Sequence, residues 1–386
     1  MAKRNEKLRV GFLFDDTLDS NDGVAQYVKT LGAWLSSQGH EVSYLVGQTK
    51  MTNWAGGRVI SLARNLPVAF NANRLSIPLP ASGRRINKLL SKQKFDVLHV
   101  QVPHSPFMSQ KVINRAGQKT AIVGTFHILP SGRLASWGSR VLRIAYLLGL
   151  RRFDLMLSVS LPAAAFAKKF FGVDSQVLPN VVNHARYEAV GSSAKQKSRN
   201  GILFLGRLVP RKGCVQLLEA FSLLHKHHPN VRLTIAGDGP ERKKLEKVIA
   251  QQGLTDAVNF LGYVEEQQKP QLLRGAKLVC FPSLYGESFG IVLIEAMAAG
   301  AGVVLGGNNP GYRSVLAQQP ELLVNPNDTT AFARRLELLL NDEFLRRRLG
   351  SWQAKHVKQY DVNKVGPQIV EVYRQAIANR RQKRHN

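Results

Sequence analysis

The sequence predicts an α/β protein with two doubly wound lobes, each built on a mostly parallel sheet. Apolar runs of strand length alternate with segments of helical apolar spacing along most of the chain, and one polar stretch interrupts this alternation. The 386 residues also exceed the size at which one hydrophobic core usually stops growing. Ligands of such sheets bind at the carboxyl ends of the strands, so two lobes facing one another would form a deep cleft. We expect the active site there.

The first lobe, residues 1–182, opens with strand, glycine turn, helix and strand. Leu8 to Phe14 is predicted as a buried strand, apolar residues then recur at helical spacing until Gly39, and a second strand spans Glu41 to Val46. Further strands are predicted at 95–100, 120–126 and 155–160. The polar stretch 183–200 contains Gly191-Ser192-Ser193 and is predicted as a linker.

The second lobe, residues 201–360, repeats the alternation. Strands are predicted at 202–205, 231–236, 258–261, 278–282 and 302–305, and helices at 215–224, 241–251, 268–275 and 289–299. Residues 361–386 are predicted as a helix that packs back on the first lobe. The basic tail 380–384 is expected to be disordered.

The formal charge of +28 predicts a surface that attracts anions, with nucleic acid, anionic lipid and phosphorylated substrates as candidate partners. A generally basic proteome is the alternative explanation. The basic runs contain no RNA- or DNA-binding motif, so we expect no specific nucleic-acid partner. Cys214 and Cys280 have no metal-type spacing and suit a reducing compartment. With no signal-peptide core and no apolar stretch of spanning length, a cytoplasmic location is expected.

The clearest motif runs from Gly286 to Gly300. Glu287 precedes the predicted helix, whose first turn presents N–H groups and a positive dipole end to oxygen-rich ligands. Glu295 lies two turns inside this helix among Val, Leu, Ile, Ala and Met residues, where an unpaired charge is costly. It must therefore have a partner, and ligand hydroxyls are suitable ones. For Glu287 alone, the alternative is an acid that only complements the helix dipole.

A second motif, Gly206-Arg207-Leu208-Val209-Pro210-Arg211-Lys212-Gly213, follows the first strand of the second lobe. Arg207 and Lys212 could bind a diphosphate there and stabilise the negative charge that develops as a glycosidic bond breaks. A solvated basic turn is the alternative, but the position at a strand's carboxyl end favours a ligand site. The sequence has no Asp-x-Asp metal motif, so we expect neither a metal nor another cofactor.

Together with Ala236-Gly237-Asp238-Gly239-Pro240 and Leu178-Pro179-Asn180, these motifs resemble those of the retaining family-four glycosyltransferases of GT-B architecture, which has two Rossmann-like lobes. Within that group, the chain is most similar to the bacterial phosphatidylinositol mannosyltransferases and related glycolipid synthases. The resemblance implies that a hexose moves with retention of configuration from GDP-mannose or a UDP-hexose to a membrane lipid. The departing diphosphate would help to remove the acceptor proton, without an enzyme nucleophile.

The resemblance also implies roles for individual residues. Glu287 would hold the donor hexose, Glu295 the ribose, and Arg207 with Lys212 the diphosphate. His127, at a strand end, would lie beside the reacting sugar, although a hydrogen-bonded histidine with no catalytic role is the alternative. The other implied donor contacts are Gly23 at the diphosphate, the amides of Phe289, Gly290 and Ile291 at the hexose, and Tyr263 with Val264 beside the base.

Two segments of the first lobe, 83–94 and 133–152, mix basic and apolar residues as an interfacial helix would. Ordinary surface helices with a core stripe are the alternative. The basic residues expected to bind an anionic membrane are Arg84, Arg85, Lys88, Lys92, Lys94, Arg140 and Arg143. They predict a peripheral enzyme on the inner face of the cell membrane.

The expected acceptor region contains Asp16, Asp22 and His104. The chain departs here from the mannosyltransferases, because Asn21-Asp22-Gly23 replaces a Gly-Gly turn and His104 stands where an Asn is expected. Glucosyl or galactosyl transfer to diacylglycerol, or transfer to a soluble or polysaccharide acceptor, is therefore an alternative to an inositol lipid. A nucleotide-sugar epimerase and a nucleic-acid binder without enzyme activity are the remaining alternatives.

Overall fold

The computed structural model describes residues 6–19, 22–70, 73–79, 81–103, 108–127, 149–192 and 199–384, without the side chains of 66–77 and 189–192. The chain forms two compact units. The first consists of Met1–Val181 with Val362–Asn386, and the second of Val182–Asp361. Within the described ranges, none of the helices combines the length and the apolar character needed to cross a bilayer.

The strands are β1 (Arg9–Phe14), β2 (Glu41–Val46), β3 (Asn53–Trp54), β4 (Gly57–Ser61), β5 (Asn65–Phe70), β6 (Asn73–Pro78), β7 (Val97–Gln101), β8 (Ala121–Phe126), β9 (Leu155–Ser158), β10 (Gln176–Val177), β11 (Asn200–Leu205), β12 (Leu233–Ala236), β13 (Val258–Gly262), β14 (Ala276–Phe281), β15 (Val303–Gly307) and β16 (Leu323–Val324).

The α-helices are α1 (Gly23–Ser37), α2 (Gly83–Gln93), α3 (Met108–Ile113), α4 (Leu161–Phe166), α5 (His184–Ser192), α6 (Cys214–His225), α7 (Arg242–Gln251), α8 (Lys269–Gly275), α9 (Ile291–Ala298), α10 (Pro310–Leu316), α11 (Thr329–Asn341), α12 (Glu343–His356) and α13 (Val362–Gln382). Short 3₁₀ turns lie at Pro210–Lys212, Pro320–Leu322 and Val357–Tyr360, and a π-helical turn lies at Ala167–Phe171.

Each unit is built on a parallel sheet, which confirms the predicted fold class. The sheet of the first unit has the order β10-β9-β8-β7-β1-β2-β4-β3, in which only β3 runs antiparallel to its neighbour. The sheet of the second unit has the order β13-β12-β11-β14-β15-β16 and is parallel throughout. In both sheets the first strand pairs with two later ones, as in doubly wound folds that bind ligands at the point where the strand order reverses.

The helix α13 covers one face of the first unit's sheet, against α1 and β8. Its residues Ile369, Tyr373 and Ala376 are fully buried in the same apolar cluster as Phe12 and Leu31. The returning C-terminal segment therefore completes the core of the first unit.

The end of α13 differs from the expected disordered tail. Arg380 Nε donates to Asp154 Oδ2 at 3.0 Å, and the Asp154 side chain is fully buried. Lys383 Nζ lies 3.4 Å from Asp154 Oδ1, while Ile122 N donates to Asp154 Oδ2 at 2.9 Å. The prediction was wrong because a buried carboxylate far away in sequence needs these cations, and composition alone does not reveal it.

The segment predicted as a linker also contains ordered structure. Helix α5 spans His184–Ser192, and its Tyr187 is buried. Strand β11 begins at Asn200, within the same segment. Helix α5 was not predicted because its apolar residues form no stripe at helical spacing and because it ends in Gly191-Ser192, which suggest a flexible chain.

Candidate active site

The Glu287 carboxylate is the centre of a compact ion-pair cluster in the second unit. Its Oε1 accepts hydrogen bonds from Lys212 Nζ at 2.8 Å and from Arg211 Nη1 at 2.9 Å. Burial would raise the pKa of Glu287, but the charges of Lys212 and Arg211 and hydrogen bonds from Lys212 and Ser283 lower it below its usual value. Glu287 is therefore an ionised carboxylate that can accept hydrogen bonds from hydroxyls.

Two loops at the carboxyl edge of the sheet bring these residues together. Arg211 and Lys212 lie in the 3₁₀ turn after β11, and Leu284 N, in the loop after β14, donates to Arg211 O at 2.8 Å. Gly213 follows with φ +71°, and a Cβ there would lie 2.1 Å from Pro282 O. Only glycine fits this contact, so the basic turn and the loop of Glu287 are held against one another.

Sequence reasoning missed Arg211. It paired Arg207 with Lys212, whereas the structure places Arg211 and Lys212 on Glu287 and leaves Arg207 exposed at the end of β11. The last two side chains of the turn Pro210–Lys212, which is capped by Gly213, both reach Glu287. This short capped turn is the signal that could have identified Arg211.

Hydrogen bonds from the start of α10 support the Glu287 loop. Asn309 Nδ2 donates to Ser283 O at 2.9 Å, and the hydroxyls of Ser283 and Tyr312 are 3.1 Å apart. A Cβ on Gly311 would lie 2.2 Å from Glu287 O, so the backbone of α10 touches the backbone of the loop. The position of Glu287 is thus determined by backbone packing on both sides.

The glycine-rich start of α9 lies next to Glu287. Gly290 caps α9 with φ +104°, and a Cβ there would lie 2.5 Å from the Tyr312 ring. Phe289 is buried and packs edge-on against Tyr360 at 5.5 Å, whereas Ile291 is half-buried in the first turn of the helix. The first-turn N–H groups of a helix have no intrahelical acceptor and can bind ligand oxygens.

Glu295 has a partner within the protein, whereas the sequence suggested ligand hydroxyls. Its buried carboxyl is hydrogen-bonded to the hydroxyl of Tyr187 on α5. Burial raises the pKa of Glu295 to about 7, although the positive charges of Lys269 and Arg186 oppose this and Glu266 adds to it. The expectation of a partner is confirmed, but the partner in this structure is Tyr187 and not a ligand hydroxyl.

Two further predicted donor contacts follow β13. Tyr263 is 62% exposed, whereas Val264 is buried. In the neighbouring loop after β12, a Cβ on Gly237 would lie 1.9 Å from Gly206 O, and Leu208 N donates to Asp238 O at 3.0 Å. These contacts bring the loops after β11 and β12 together at the same edge as Glu287.

In the first unit, Asp22 is the N-cap of α1. Its Oδ1 accepts from Val24 N at 2.9 Å and from Ala25 N at 3.0 Å, and Gly23 is the first residue of the helix. Asp16 Oδ1 accepts from Thr17 N. Asp15, which the sequence analysis did not select, is buried and accepts from Ser109 N and Oγ at 2.7 Å each. His104 lies outside the described residues.

His127 follows β8 and is buried. Its Nε2 lies 2.7 Å from Gln101 Oε1, and the Tyr27 ring meets it edge-on at 4.9 Å. Burial lowers the pKa of His127 to about 3, so the imidazole is neutral at physiological pH. His99, on the neighbouring strand β7, is also buried and neutral, and it bonds Thr125 and Tyr373.

Helix α2 differs from a helix whose apolar face enters lipid. Ile86 is fully buried, and Leu89 and Leu90 pack against the core of the first unit. The basic residues of this segment remain exposed, namely Arg84, Arg85, Lys88, Lys92 and Lys94. The apolar stripe was misassigned because core-facing and membrane-facing stripes have the same helical spacing. Arg140 and Arg143 lie outside the described residues.

The described ranges contain no group of three or more His, Cys, Asp and Glu side chains arranged to hold a metal ion. Lys212, Arg211 and Glu287 form an ion-pair cluster at the strand ends of the second unit.

Comparison with known proteins identifies related sequences along nearly the whole chain. Residues 21–186 match Glycosyltransferase Family 4, and residues 186–356 match Glycosyl transferases group 1. A phosphatidyl-myo-inositol mannosyltransferase of Mycolicibacterium smegmatis is 32% identical over 95% of this chain and 93% of its own. One of Mycobacterium leprae is 31% identical over 95% of this chain and 96% of its own.

Solved structures show the same fold. A glycosyltransferase from Rickettsia africae has a TM-score of 0.74 at 17% identity, over 95% of this chain and 98% of its own. Anabaena HepE in complex with UDP and glucose has a TM-score of 0.71 at 18% identity, over 95% of this chain and 99% of its own. With two parallel-sheet α/β domains and relatives that match along 95% of its length, the chain belongs to the family-4/group-1 glycosyltransferases of GT-B fold.

Proposed function

We propose that this glycosyltransferase moves a hexose, with retention of configuration, from a nucleotide sugar to a lipid acceptor at an anionic membrane surface. The observation that carries this proposal is the ionised Glu287 beside Lys212, Arg211 and the glycine-capped start of α9. A carboxylate, two cations and helix N–H groups at one sheet edge suit a ligand that has both hydroxyls and a diphosphate.

Glu287 binds and orients the sugar and does not attack it. Two charged hydrogen bonds to its Oε1 disperse the negative charge, which makes the carboxylate a poor nucleophile but leaves it able to accept sugar hydroxyls. Retention then follows from attack by the acceptor on the face from which the diphosphate leaves. The departing phosphate oxygen takes the proton of the acceptor hydroxyl. The bond from the sugar to the diphosphate therefore breaks, and the bond from the sugar to the acceptor forms, on the same face of the sugar.

Lys212 neutralises the leaving diphosphate together with Arg207, which is exposed at the end of β11, while Arg211 stays paired with Glu287. The charge that grows on the phosphate oxygens is greatest as the glycosidic bond breaks, so fixed cations lower the barrier more than they tighten ground-state binding. In this proposal they need no help from a metal ion.

Glu295 holds the ribose after an exchange of hydrogen bonds. In this structure Tyr187 donates to its carboxyl group. Ribose hydroxyls can donate to the same oxygens, and the ionised form accepts them more strongly than the protonated form.

The relatives supply the proposed acceptor. Relatives that match 95% of the chain are named phosphatidyl-myo-inositol mannosyltransferases. The exposed basic residues of α2 suit an anionic lipid surface, to which each nearby Lys or Arg contributes about 1 kcal/mol. We therefore propose GDP-mannose as donor and an inositol lipid as acceptor, for an enzyme peripheral on the inner face of the cell membrane.

The test is a transfer assay with the purified full chain. GDP-mannose, UDP-glucose and UDP-galactose are each offered with vesicles that contain phosphatidylinositol or diacylglycerol in an anionic background. Mannosylated phosphatidylinositol is the expected product. Glycosylated diacylglycerol would replace the proposed donor and acceptor, and transfer only to soluble acceptors would remove the lipid part of the proposal.

A pair of variants tests the site. Glu287→Gln should lower the transfer rate on the order of a hundredfold, because the ionised acceptor of the sugar hydroxyls is lost. Glu246→Gln is the matched control, since Glu246 pairs with Arg242 on the exposed face of α7. Equal transfer rates in the two variants would reject Glu287 as a donor-site residue.

A further inference from the structure

A cavity of about 560 Å³ lies in the second unit, at the edge of its sheet opposite the Glu287 loop. Its lining includes Lys277 at the start of β14 and Gly302 just before β15, whereas the Glu287 loop follows the other end of β14. A strand rises about 3.3 Å per residue, so the six residues of β14 separate the two edges by about 17 Å. The cavity is therefore distinct from the candidate active site.

Backbone and small apolar groups form much of the cavity wall. A Cβ on Gly302 would lie 2.1 Å from Lys277 O, and a Cβ on Gly350 in α12 would lie 3.3 Å from Gly302 O. The start of β14, the entry to β15 and the middle of α12 thus meet without side chains between them. Met297 and Ala301 add buried apolar atoms to the wall. Such a wall suits the organic part of a small ligand.

Cations outnumber acids around this cavity. Its lining contains Arg199, Lys277, Arg346 and Arg347, and Glu343 is the acidic residue among them. Glu343 already pairs with Arg347 at 2.6 Å, and Arg346 Nη1 donates to carbonyls in the last turn of α11. In the part of the chain that the structure describes, the charges of Arg199 and Lys277 have no acidic partner.

Two guanidinium groups meet beside Gly300, which also lines the cavity. Arg199 Nη2 donates to Gly300 O at 2.8 Å, and a Cβ on Gly300 would lie 3.8 Å from Arg274 Nη1. Burial and the nearby charge of Arg274 lower the pKa of Arg199, as expected for two cations that repel one another. One carbonyl satisfies one of the five donors of Arg199. An anion placed here would relieve the repulsion and accept the remaining hydrogen bonds.

We propose that this cavity is an anion site, separate from the candidate active site, that binds a phosphate group through Lys277, Arg199 and Arg274. A guanidinium donates two parallel hydrogen bonds to phosphate oxygens, and the lysine ammonium adds a compact positive charge. The cavity is of the size of small-molecule sites, so the phosphate belongs to a larger molecule, either a phosphorylated metabolite or a lipid headgroup. The inference does not depend on lipid transfer.

The first experiment titrates inorganic phosphate into the deuterated full chain at about 0.15 M salt and follows glycine amides by ¹H–¹⁵N NMR. The signals of Gly300, Gly302 and Gly350 should shift together and saturate, whereas that of the exposed Gly253 should not. Glu287→Gln should give the same saturation curve, so a failure of the proposed transfer function would leave this result unchanged. Shifts that never saturate, or that spare these three glycines, would overturn the proposal.

The second experiment removes one cation at a time. Lys277→Met keeps an unbranched side chain without the charge and should weaken phosphate binding on the order of tenfold. Arg274→Gln should weaken it by a similar factor. Lys247→Met is the matched control, since Lys247 is exposed on α7 of the same unit, and it should bind phosphate like the wild type. Wild-type affinity in both Lys277→Met and Arg274→Gln would overturn the proposal.

Two further probes distinguish the sources of the phosphate group. Saturable binding of glycerol phosphate that weakens in Lys277→Met would identify a small phosphorylated molecule as the ligand. Sedimentation with phosphatidylglycerol vesicles that weakens in Lys277→Met but not in Lys247→Met would identify a lipid headgroup. If Lys277→Met changes neither measurement, the cavity binds no phosphate group and the proposal is wrong.

Discussion

Replacing Glu295 with glutamine should stabilise the protein at alkaline pH and have little effect in acid. Burial raises the pKa of Glu295 from 4.5 to about 7, so the folded chain keeps a proton that the unfolded chain releases. As the pH rises from 4.5 to 7, the unfolded state is increasingly favoured, and the free energy of unfolding falls by up to about 3 kcal/mol before it levels off. Glutamine is neutral at every pH and lacks this loss.

The measurement is the melting temperature of wild type and Glu295→Gln by calorimetry between pH 4.5 and 8.5. The variant should match the wild type near pH 4.5 and exceed it by several degrees at pH 8, since about 1 kcal/mol shifts the transition of a unit of this size by about 2–4 °C. The same substitution should weaken nucleotide binding above pH 7, because an amide accepts ribose hydroxyls less strongly than a carboxylate. A difference in melting temperature that is constant across this pH range would refute a raised pKa at Glu295.

Three further predictions concern other parts of the chain. Gly311→Ala should weaken nucleotide-sugar binding and lower the melting temperature, because the added Cβ would lie 2.2 Å from Glu287 O and displace the Glu287 loop. Wild-type nucleotide affinity in this variant would show that the Glu287 loop tolerates the displacement. Asp154→Asn should lower the free energy of urea-induced unfolding by about 3 kcal/mol, because Arg380 loses a buried partner. The control Asp174→Asn removes an exposed pair with Lys168 and should change this free energy by less than about 1 kcal/mol. Equal changes in the two variants would contradict a stabilising contact between Asp154 and the end of α13. Replacing the exposed residues Arg84, Arg85 and Lys88 of α2 together by alanine should weaken binding to anionic vesicles at low salt on the order of a hundredfold, measured by sedimentation. Binding to neutral vesicles should not change. Unchanged sedimentation with anionic vesicles would exclude α2 as the membrane contact.

The periodic signals in the sequence predicted the fold well. Buried parallel strands such as 202–205 and 303–305 consist almost entirely of apolar residues, and their spacing from the helices that follow is regular. The pattern fails where an element has little periodicity, as in α5. It also fails where one pattern fits two environments, as in α2, whose apolar stripe faces the core of its own unit.

The candidate site was predictable where neighbours in sequence are also neighbours in space. The motif around Glu287 and the basic turn before Gly213 lie at the carboxyl edge of one sheet, as strand order requires. The bonds of Tyr187 to Glu295 and of Gln101 to His127 join residues far apart in the chain. Such pairings depend on tertiary packing, which no local pattern records.

The stereochemistry of the product tests retaining hexose transfer most directly. The full chain is incubated with an α-linked nucleotide sugar and the vesicles that accept it, and the anomeric proton of the purified product is identified by ¹H NMR. Retaining transfer gives an α-linked glycolipid, which the wild type should form and Glu287→Gln should not. A β-linked product, or no sugar transfer from any of the three nucleotide sugars, would contradict it.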